Sequence, residues 1–315
     1  MEELINSAVS MTVSVIIPAF NSEASIEAAI ASVLGQRYSG KVELVIVDDG
    51  SFDSTSGIVR RYSGAAKVIR QENRGPAAAR NTGVAGSSGE LIAFLDADDA
   101  WLPEKLSRTE TILDREPQVA LVYSDAIALG GQGEVISNSV VPTDKARAPS
   151  TSDLLSDWWP IFPSTVVMRR GVFEECGGFC ERFTAAAYED TLFFIAARQF
   201  GEFRYLHEPL VRYRAEPVVR RMEKYLPYQR LFIELLRERY GAAATPLIKK
   251  TLSGYASALG YEGLIAMRNV EIRQARRSFL RALRHDPTSV RTYLRLARTF
   301  LPAPIARRLR GRTAD

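Results

Sequence analysis

The sequence predicts an α/β fold: a mixed, mostly parallel sheet flanked by helices, followed by a C-terminal α-helical extension. Three observations lead there. Short β-branched apolar runs alternate with segments of helical apolar spacing from Val13 to Leu95. Strand signals vanish beyond about Pro217. Charge divides the chain in the same way: residues 270–315 carry twelve arginines against three acids, a net +9, whereas the whole 315-residue chain carries only +4. The remainder is therefore acidic. The expected boundaries are a tail over 1–11, an α/β domain over 12–215 and a basic helical extension over 216–315.

Val13–Ile17 is a continuous apolar run ended by Pro18, the mark of a strand buried on both faces. Asn21 or Ser22 can cap a helix whose apolar positions Ile26, Ala29, Ile30, Val33 and Leu34 keep helical spacing, and Gly35 ends it. Val42–Val47 is a second buried strand, followed by Asp48-Asp49-Gly50-Ser51 and a helix over about 54–62. Lys67–Arg70 is a third. Pro76, suited to a first helical position, opens a small-residue helix through Ala85. Leu91–Leu95 is the fourth strand and runs into Asp96-Ala97-Asp98-Asp99. Beyond it, Val119–Tyr123 and Ser164–Met168 have strand character and Glu189–Phe200 helical character. Phe203–Leu206 and Leu210–Tyr213 are expected to be strands that pair.

Composition narrows the chemistry. With 46% hydrophobic residues there is enough apolar surface to offset chain entropy, which excludes a disordered chain. No apolar run approaches the ~18–20 residues of a membrane-spanning helix, and no basic-then-apolar leader precedes Val13. Cys176 and Cys180 stand alone, without histidines nearby, so neither a disulfide framework nor a zinc site is expected and a cytoplasmic setting fits. His207 and His285 are the only histidines. The chemistry falls to carboxylates.

In a parallel sheet, ligands bind beyond the carboxyl ends of the strands. Pro18–Asn21, Asp48–Ser51, Asn73–Gly75 and Asp96–Asp99 all belong there. Asp96 and Asp98, separated by Ala97, project two carboxylates to one side of an extended segment. That suits a hard divalent cation that keeps positions open for phosphate. Asp-Asp-Gly-Ser alone is a good turn. Two acidic clusters at the ends of the second and fourth strands instead describe a metal–diphosphate site.

The segments Val13-Ser14-Val15-Ile16-Ile17-Pro18-Ala19-Phe20-Asn21, Val47-Asp48-Asp49-Gly50-Ser51, Asn73-Arg74-Gly75 with Ala79-Arg80-Asn81, and Phe94-Leu95-Asp96-Ala97-Asp98-Asp99 resemble family 2 glycosyltransferases. The likeness continues through Gly177-Gly178-Phe179, Glu189-Asp190 and Glu208-Pro209-Leu210-Val211-Arg212-Tyr213, over roughly residues 12–214. It implies the GT-A fold and a nucleotide-diphosphate sugar donor, here a UDP-sugar. By resemblance Pro18, Ala19, Phe20 and Asn21 line the nucleotide pocket, together with Asn73 and Gly75, and Asp49 contacts the base. Asp96 meets ribose or metal beside Ala97, and Asp98 is the main ligand of Mg or Mn. Arg80 either adds positive charge at the diphosphate or lies on a helix surface. Glu189 belongs to the substrate site, and Asp190 is the general base that activates an acceptor hydroxyl. One base with direct displacement implies inversion.

The Gln-x-x-Arg-Trp motif and membrane helices of processive relatives are absent, which favours transfer of a single sugar. In place of a histidine near the diphosphate, Arg220 or Arg221 offers positive charge. Competing classes fare less well. A dinucleotide oxidoreductase needs a glycine fingerprint where Pro18-Ala19-Phe20-Asn21 stands. A nucleotidyltransferase acting on sugar phosphates usually shows a glycine-rich basic loop after the first strand; none is here. A non-catalytic nucleotide-sugar-binding protein remains an alternative.

The expected acceptor is a glycan or a lipid-linked sugar. Trp158-Trp159 either stacks on a sugar or packs in the core. Leu259, Gly263, Ala275, Phe279, Ala282 and Pro287 match a degenerate tetratricopeptide repeat, a helical hairpin. Two amphipathic faces follow. Ile272, Ala275, Phe279, Ala282 and Leu283 oppose Arg273, Arg277, Arg281 and Arg284. Val290, Tyr293, Leu294, Ala297 and Leu301 oppose Arg291, Arg295 and Arg298, before the Arg307-Arg308-Leu309-Arg310 cluster. These faces either pack as structure or attach the enzyme to an anionic inner membrane face. No nucleic-acid module accompanies them, and no nucleic acid is expected.

Overall fold

The computed structural model describes residues 10–215, 225–268 and 271–300. The chain divides between residues 216 and 217 into two compact units.

In the first unit, β1 (Val13–Ala19), β2 (Val42–Asp48), β3 (Lys67–Arg70) and β4 (Leu91–Phe94) form the parallel part of a nine-stranded sheet. Helices α1 (Ile26–Leu34), α2 (Thr55–Arg60) and α3 (Pro76–Ala85) make the crossovers. β5 (Ala100–Trp101), α4 (Lys105–Arg115), β6 (Val119–Leu129) and β7 (Val135–Ser137) follow, then α5 (Thr151–Ser156), β8 (Val166–Arg169), α6 (Arg170–Glu175), α7 (Glu189–Ala197) and β9 (Glu202–Arg214). The strand order is β3-β2-β1-β4-β8-β6-β9-β5, with β7 paired to β6. Because β8 runs antiparallel to both β4 and β6, the sheet is mixed. Val15 and Ile17 of β1, Ile46 of β2 and Ala93 of β4 are buried in one cluster with Ile26, Ile30 and Val33 of α1. The continuous apolar runs fit a sheet with helices on both faces.

The structure corrects the reading of the second half. Phe203–Leu206 and Leu210–Tyr213 do not pair; both lie in the single strand β9, parallel to β6. Leu206 sits opposite Ser124 and Pro209 opposite Asp125, so His207 and Glu208 form a bulge where a turn was expected. Pro163–Thr165 is a 3₁₀ turn, and the strand expected from Ser164 begins at Val166.

The second unit contains α8 (Gln229–Tyr240), α9 (Thr245–Arg268), α10 (Ile272–His285) and α11 (Val290–Arg298). Ala266 of α9 and Ala275 and Phe279 of α10 form a small core. Gly263 makes this packing possible: a β-carbon there would stand 2.6 Å from the Phe279 ring. The expected apolar face of α10 is inward, with Ala275, Phe279, Ala282 and Leu283 buried. The face expected for α11 is not. Val290, Tyr293 and Leu294 are exposed, while Thr292 and Thr299 are buried and Leu296 packs on the core. Arg276 of α10 selects this orientation by donating from Nε to Thr299 Oγ1 at 3.2 Å and from Nη2 to the Thr299 carbonyl at 2.8 Å. Its guanidinium also covers the Phe300 ring at 3.9 Å. Arg220, Arg221, Leu301 and the Arg307–Arg310 cluster lie outside the described residues.

Candidate active site

Register aligns the strand ends. Ala19 pairs with Asp48 and Asp48 with Arg70, while Phe94 pairs with Ile16, so the loops after β1, β2, β3 and β4 emerge at one edge. Two of these loops are clipped together. Asn21, in the left-handed region at φ 47°, receives the Phe52 amide on Oδ1 at 3.1 Å and donates its own amide to Ser51 Oγ at 3.0 Å. The Ser22 amide reaches Thr55 Oγ1 at 2.7 Å. Phe20 and Phe52 stand above this junction as an edge-to-face pair 5.8 Å apart, 43% and 85% exposed. Pro18 is partly buried and Ala19 buried beneath them.

Asp49 is buried and organises the next loop. Its Oδ1 accepts from Gln71 Nε2 at 2.7 Å and from the Arg74 amide at 3.0 Å, and its Oδ2 from the Gly75 amide at 2.8 Å. The exposed Asn73 lies in this loop. Gly75 has φ +87°, and a β-carbon there would stand 2.4 Å from the Thr184 carbonyl oxygen, so only glycine fits. Gln71 went unnoticed in the sequence. A lone glutamine after a short strand carries no signal.

Asp96, Asp98 and Asp99 follow β4 and part ways. Asp99 is buried, with Oδ2 accepting from Ser164 Oγ at 2.6 Å and Oδ1 from the Arg214 amide at 2.8 Å. Ser164 Oγ accepts in turn from the Asp96 amide at 3.0 Å. Burial, and then the charges of Asp98 and Asp96, hold the Asp99 carboxyl well above the usual carboxylate range. Ala97 is buried between its neighbours, whereas Asp98 is exposed. Below the loop, the Trp101 indole donates to the Ser164 carbonyl at 2.8 Å and Lys105 Nζ to the Thr165 carbonyl. Lys105 is fully buried, and this pushes its ammonium down to about 7.

Arg80 of α3 joins the β4 loop to α7. It is buried, not on a helix surface, and its Nη2 donates to Asp96 Oδ1 at 2.7 Å while Nη1 donates to Glu189 Oε1 at 3.0 Å. Glu189 is buried, and its Oε2 accepts from the Ala187 amide at 2.7 Å. Asp190 is only partly buried, with Oδ1 accepting from the Thr191 amide at 2.6 Å. Desolvation raises both carboxyls above their ordinary values; for Glu189 the charge of Asp190 adds to it and Arg80 opposes it. Tyr188, just before them, is a buried aromatic residue at φ 69°, a strained conformation, and its ring packs on Trp158 at 5.7 Å. Trp159 is covered by Arg147 at 4.9 Å and Lys145 at 5.7 Å. Asn81 docks the segment before α7: it donates from Nδ2 to the Phe179 carbonyl at 2.9 Å and accepts the Phe179 amide on Oδ1 at 2.9 Å.

Asp98 offers an exposed carboxylate two residues from Asp96, hard oxygen donors of the kind a divalent cation takes. Among the described residues no three His, Cys, Asp or Glu side chains close into a metal cage. A cation here would take part of its coordination from phosphate and water.

Residues 14–176 match the family model described as glycosyl transferase family 2. An uncharacterized glycosyltransferase of Nostoc sp. is 35% identical over 173 residues, covering 52% of this chain and 53% of that protein. The Escherichia coli UDP-Glc:alpha-D-GlcNAc-diphosphoundecaprenol beta-1,3-glucosyltransferase WfgD is 38% identical over 132 residues, 41% of this chain and 48% of that one. The chain thus matches about half the length of these curated relatives. Among solved structures, TarS 1–349 of S. aureus in complex with UDP-GlcNAc superposes with a TM-score of 0.62 at 21% identity, covering 87% of this chain and 81% of that one. At this identity the likeness speaks for the fold, which is GT-A. Matched over more than half its length by the family model, and carrying its carboxylates at the strand ends of that fold, the chain belongs to glycosyl transferase family 2.

Proposed function

We propose that this enzyme moves a single sugar from a UDP-sugar to an acceptor hydroxyl, with inversion at the anomeric carbon and with Mg or Mn, in cell-surface glycan synthesis. The observation that carries this reading is the Arg80 bridge. It ties the Asp96 carboxylate, next to the exposed Asp98, to Glu189, next to the partly exposed Asp190. In this reading one guanidinium links the immediate neighbours of the proposed metal ligand and of the proposed base, Asp96 and Glu189.

In this reading Phe20 and the segment Pro18–Asn21 receive the nucleotide. Asp49 serves the base largely by fixing the 71–75 loop against which the base lies, with Asn73 and Gly75 lining it. Asp98, with Asp96, would hold Mg or Mn, which when bound neutralises the leaving diphosphate as a Lewis acid. Asp190 takes the proton of the acceptor hydroxyl as that oxygen attacks the anomeric carbon from the face opposite the leaving group. Its partial exposure favours Asp190 over Glu189 for this role, because both oxygens of Glu189 are occupied. Raising its pKa makes Asp190 a better proton acceptor once it is ionised.

The UDP-GlcNAc held by TarS supports a UDP donor, and the diphosphoundecaprenol acceptor named for WfgD supports a lipid-linked one. A lipid-linked acceptor would bring the enzyme to the cytoplasmic face of a membrane. No helix among the described residues is long and apolar enough to cross a membrane. The test is a screen of UDP-sugars with a polyprenyl-diphosphate-linked sugar, following UDP release with Mn and with chelator, and the product anomer by NMR. Mn-dependent release and an inverted product are expected. Release that survives chelator contradicts the metal assignment, and retained configuration contradicts direct displacement.

A further inference from the structure

Helix α11 presents its apolar side outward. Val290, Tyr293 and Leu294 are 69%, 50% and 60% exposed, and Ala297 completes a row with i, i+3, i+4, i+7 spacing. The helix is held by its other side. Ser289 Oγ caps it by accepting the Thr292 amide at 3.3 Å, and Arg276 grips Thr299 at its end. The outward stripe is thus mostly exposed, and an apolar row left largely in water marks an interaction surface.

Charge identifies what that surface meets. At 100° per residue, Arg291 and Arg298 flank the stripe on one side and Arg295 lies just beyond them. Among the described residues no carboxylate forms an ion pair with any of the three. Burial together with Arg291 and Arg298 holds Arg295 below the usual guanidinium range, as expected of cations with no anion nearby. Leu280 on α10, 51% exposed, lies among Arg277, Arg281 and Arg284 and repeats the same combination. An apolar stripe that includes a tyrosine and is bordered by arginines with no ion-pair partner among the described residues matches a boundary that is anionic outside and hydrocarbon inside. Tyrosine also prefers that boundary.

We propose that α11 is a membrane-docking helix that lies on an anionic lipid leaflet. Val290, Tyr293 and Leu294 enter the boundary between headgroups and acyl chains, and Arg291 and Arg298 meet lipid phosphates. This rests on the placement of the enzyme at the membrane face and names the surface that achieves it.

The test is flotation of the full chain with vesicles of phosphatidylglycerol and phosphatidylcholine, against phosphatidylcholine alone, at low and high salt. Wild type floats with the anionic vesicles, more at low salt. Arg291→Gln with Arg298→Gln lowers partition onto those vesicles about thirtyfold. Leu294→Ser with Val290→Ser removes the part that survives high salt. All four positions lie outside the packed face, so circular dichroism stays unchanged. Absence of wild type from both vesicle types overturns the proposal, as does flotation unaltered by the variants. So does a concentration-dependent dimer lost in Leu294→Ser, which assigns the stripe to a second copy. UDP release from a UDP-sugar in free solution is measured in parallel. If it is retained while flotation fails, docking alone is refuted and the proposed catalysis stands.

Discussion

Arg80 and Glu189 form an ion pair of 3.0 Å between side chains that are each 3% exposed. The same guanidinium holds Asp96 at 2.7 Å. Charges this dry are stable only as a set. Removing Arg80 leaves Glu189 desolvated without its partner, a far larger loss than that of an exposed pair.

Arg80→Leu therefore destabilises the first unit by about 3–5 kcal/mol. Arg80→Lys falls between wild type and that variant, because an ammonium cannot span both carboxylates as a planar fork does. Adding Glu189→Gln to Arg80→Leu recovers part of the loss, since the orphaned charge is gone. Urea unfolding of the four proteins checks this. Simple additivity in the double variant contradicts the account.

Asp98→Asn removes an exposed carboxylate, whereas Asp99 is buried and anchors Ser164 and the Arg214 amide. Metal-dependent UDP binding and sugar transfer are lost while thermal stability is kept. Calorimetric titration of UDP with and without Mn, alongside a melting curve, separates the two. Unchanged Mn-dependent binding would place the metal elsewhere.

Burial raises the Asp190 carboxyl. In its proposed role as base Asp190 works deprotonated, so activity falls as pH drops through the raised value, higher than the ~3.9 of a free Asp. The Thr191 hydroxyl, 3.3 Å from Asp190 Oδ1, opposes the shift by stabilising the charged form. Thr191→Val therefore moves the acid limb of kcat/KM to still higher pH. A limb that shifts downward in this variant contradicts the assignment.

Lys105 titrates near 7 in the folded protein and at ~10.4 in an unfolded chain. Between those values the unfolded state binds a proton that the folded state lacks, so stability rises with pH, by up to about 1.4 kcal/mol per unit. Lys105→Met abolishes that slope. Unfolding midpoints at pH 7, 8 and 9 measure it, and equal slopes in both proteins would show that Lys105 does not titrate in this window.

The carboxylate clusters were legible because each follows an apolar run that can only be a buried strand. Their partners were not. Ser164 reaches Asp99 and Asp96 from a distant turn, Gln71 and two loop amides saturate Asp49, and Asn81 clasps the Phe179 backbone. Nothing local in the chain announces such pairings. Arg80, which follows three alanines, was ambiguous between site and surface, and only the fold closed Glu189 and Asp96 around it. In α11 the apolar periodicity was correct, but it left open whether that face packs or stays exposed, and the structure leaves Val290, Tyr293 and Leu294 exposed. Arg276 and Thr299 dock the helix by its polar side, a tertiary choice that periodicity does not encode. The split of β9 into two strands failed for the related reason that a bulge at His207 and Glu208 imitates a turn.

The most direct test of the central claim compares Asp190→Asn with wild type for UDP affinity and turnover on the same donor and acceptor. As the general base, Asp190 predicts UDP affinity nearly intact and turnover reduced by ~10²–10⁴. Turnover unchanged while UDP affinity collapses would contradict it, moving Asp190 into the donor site and the base elsewhere.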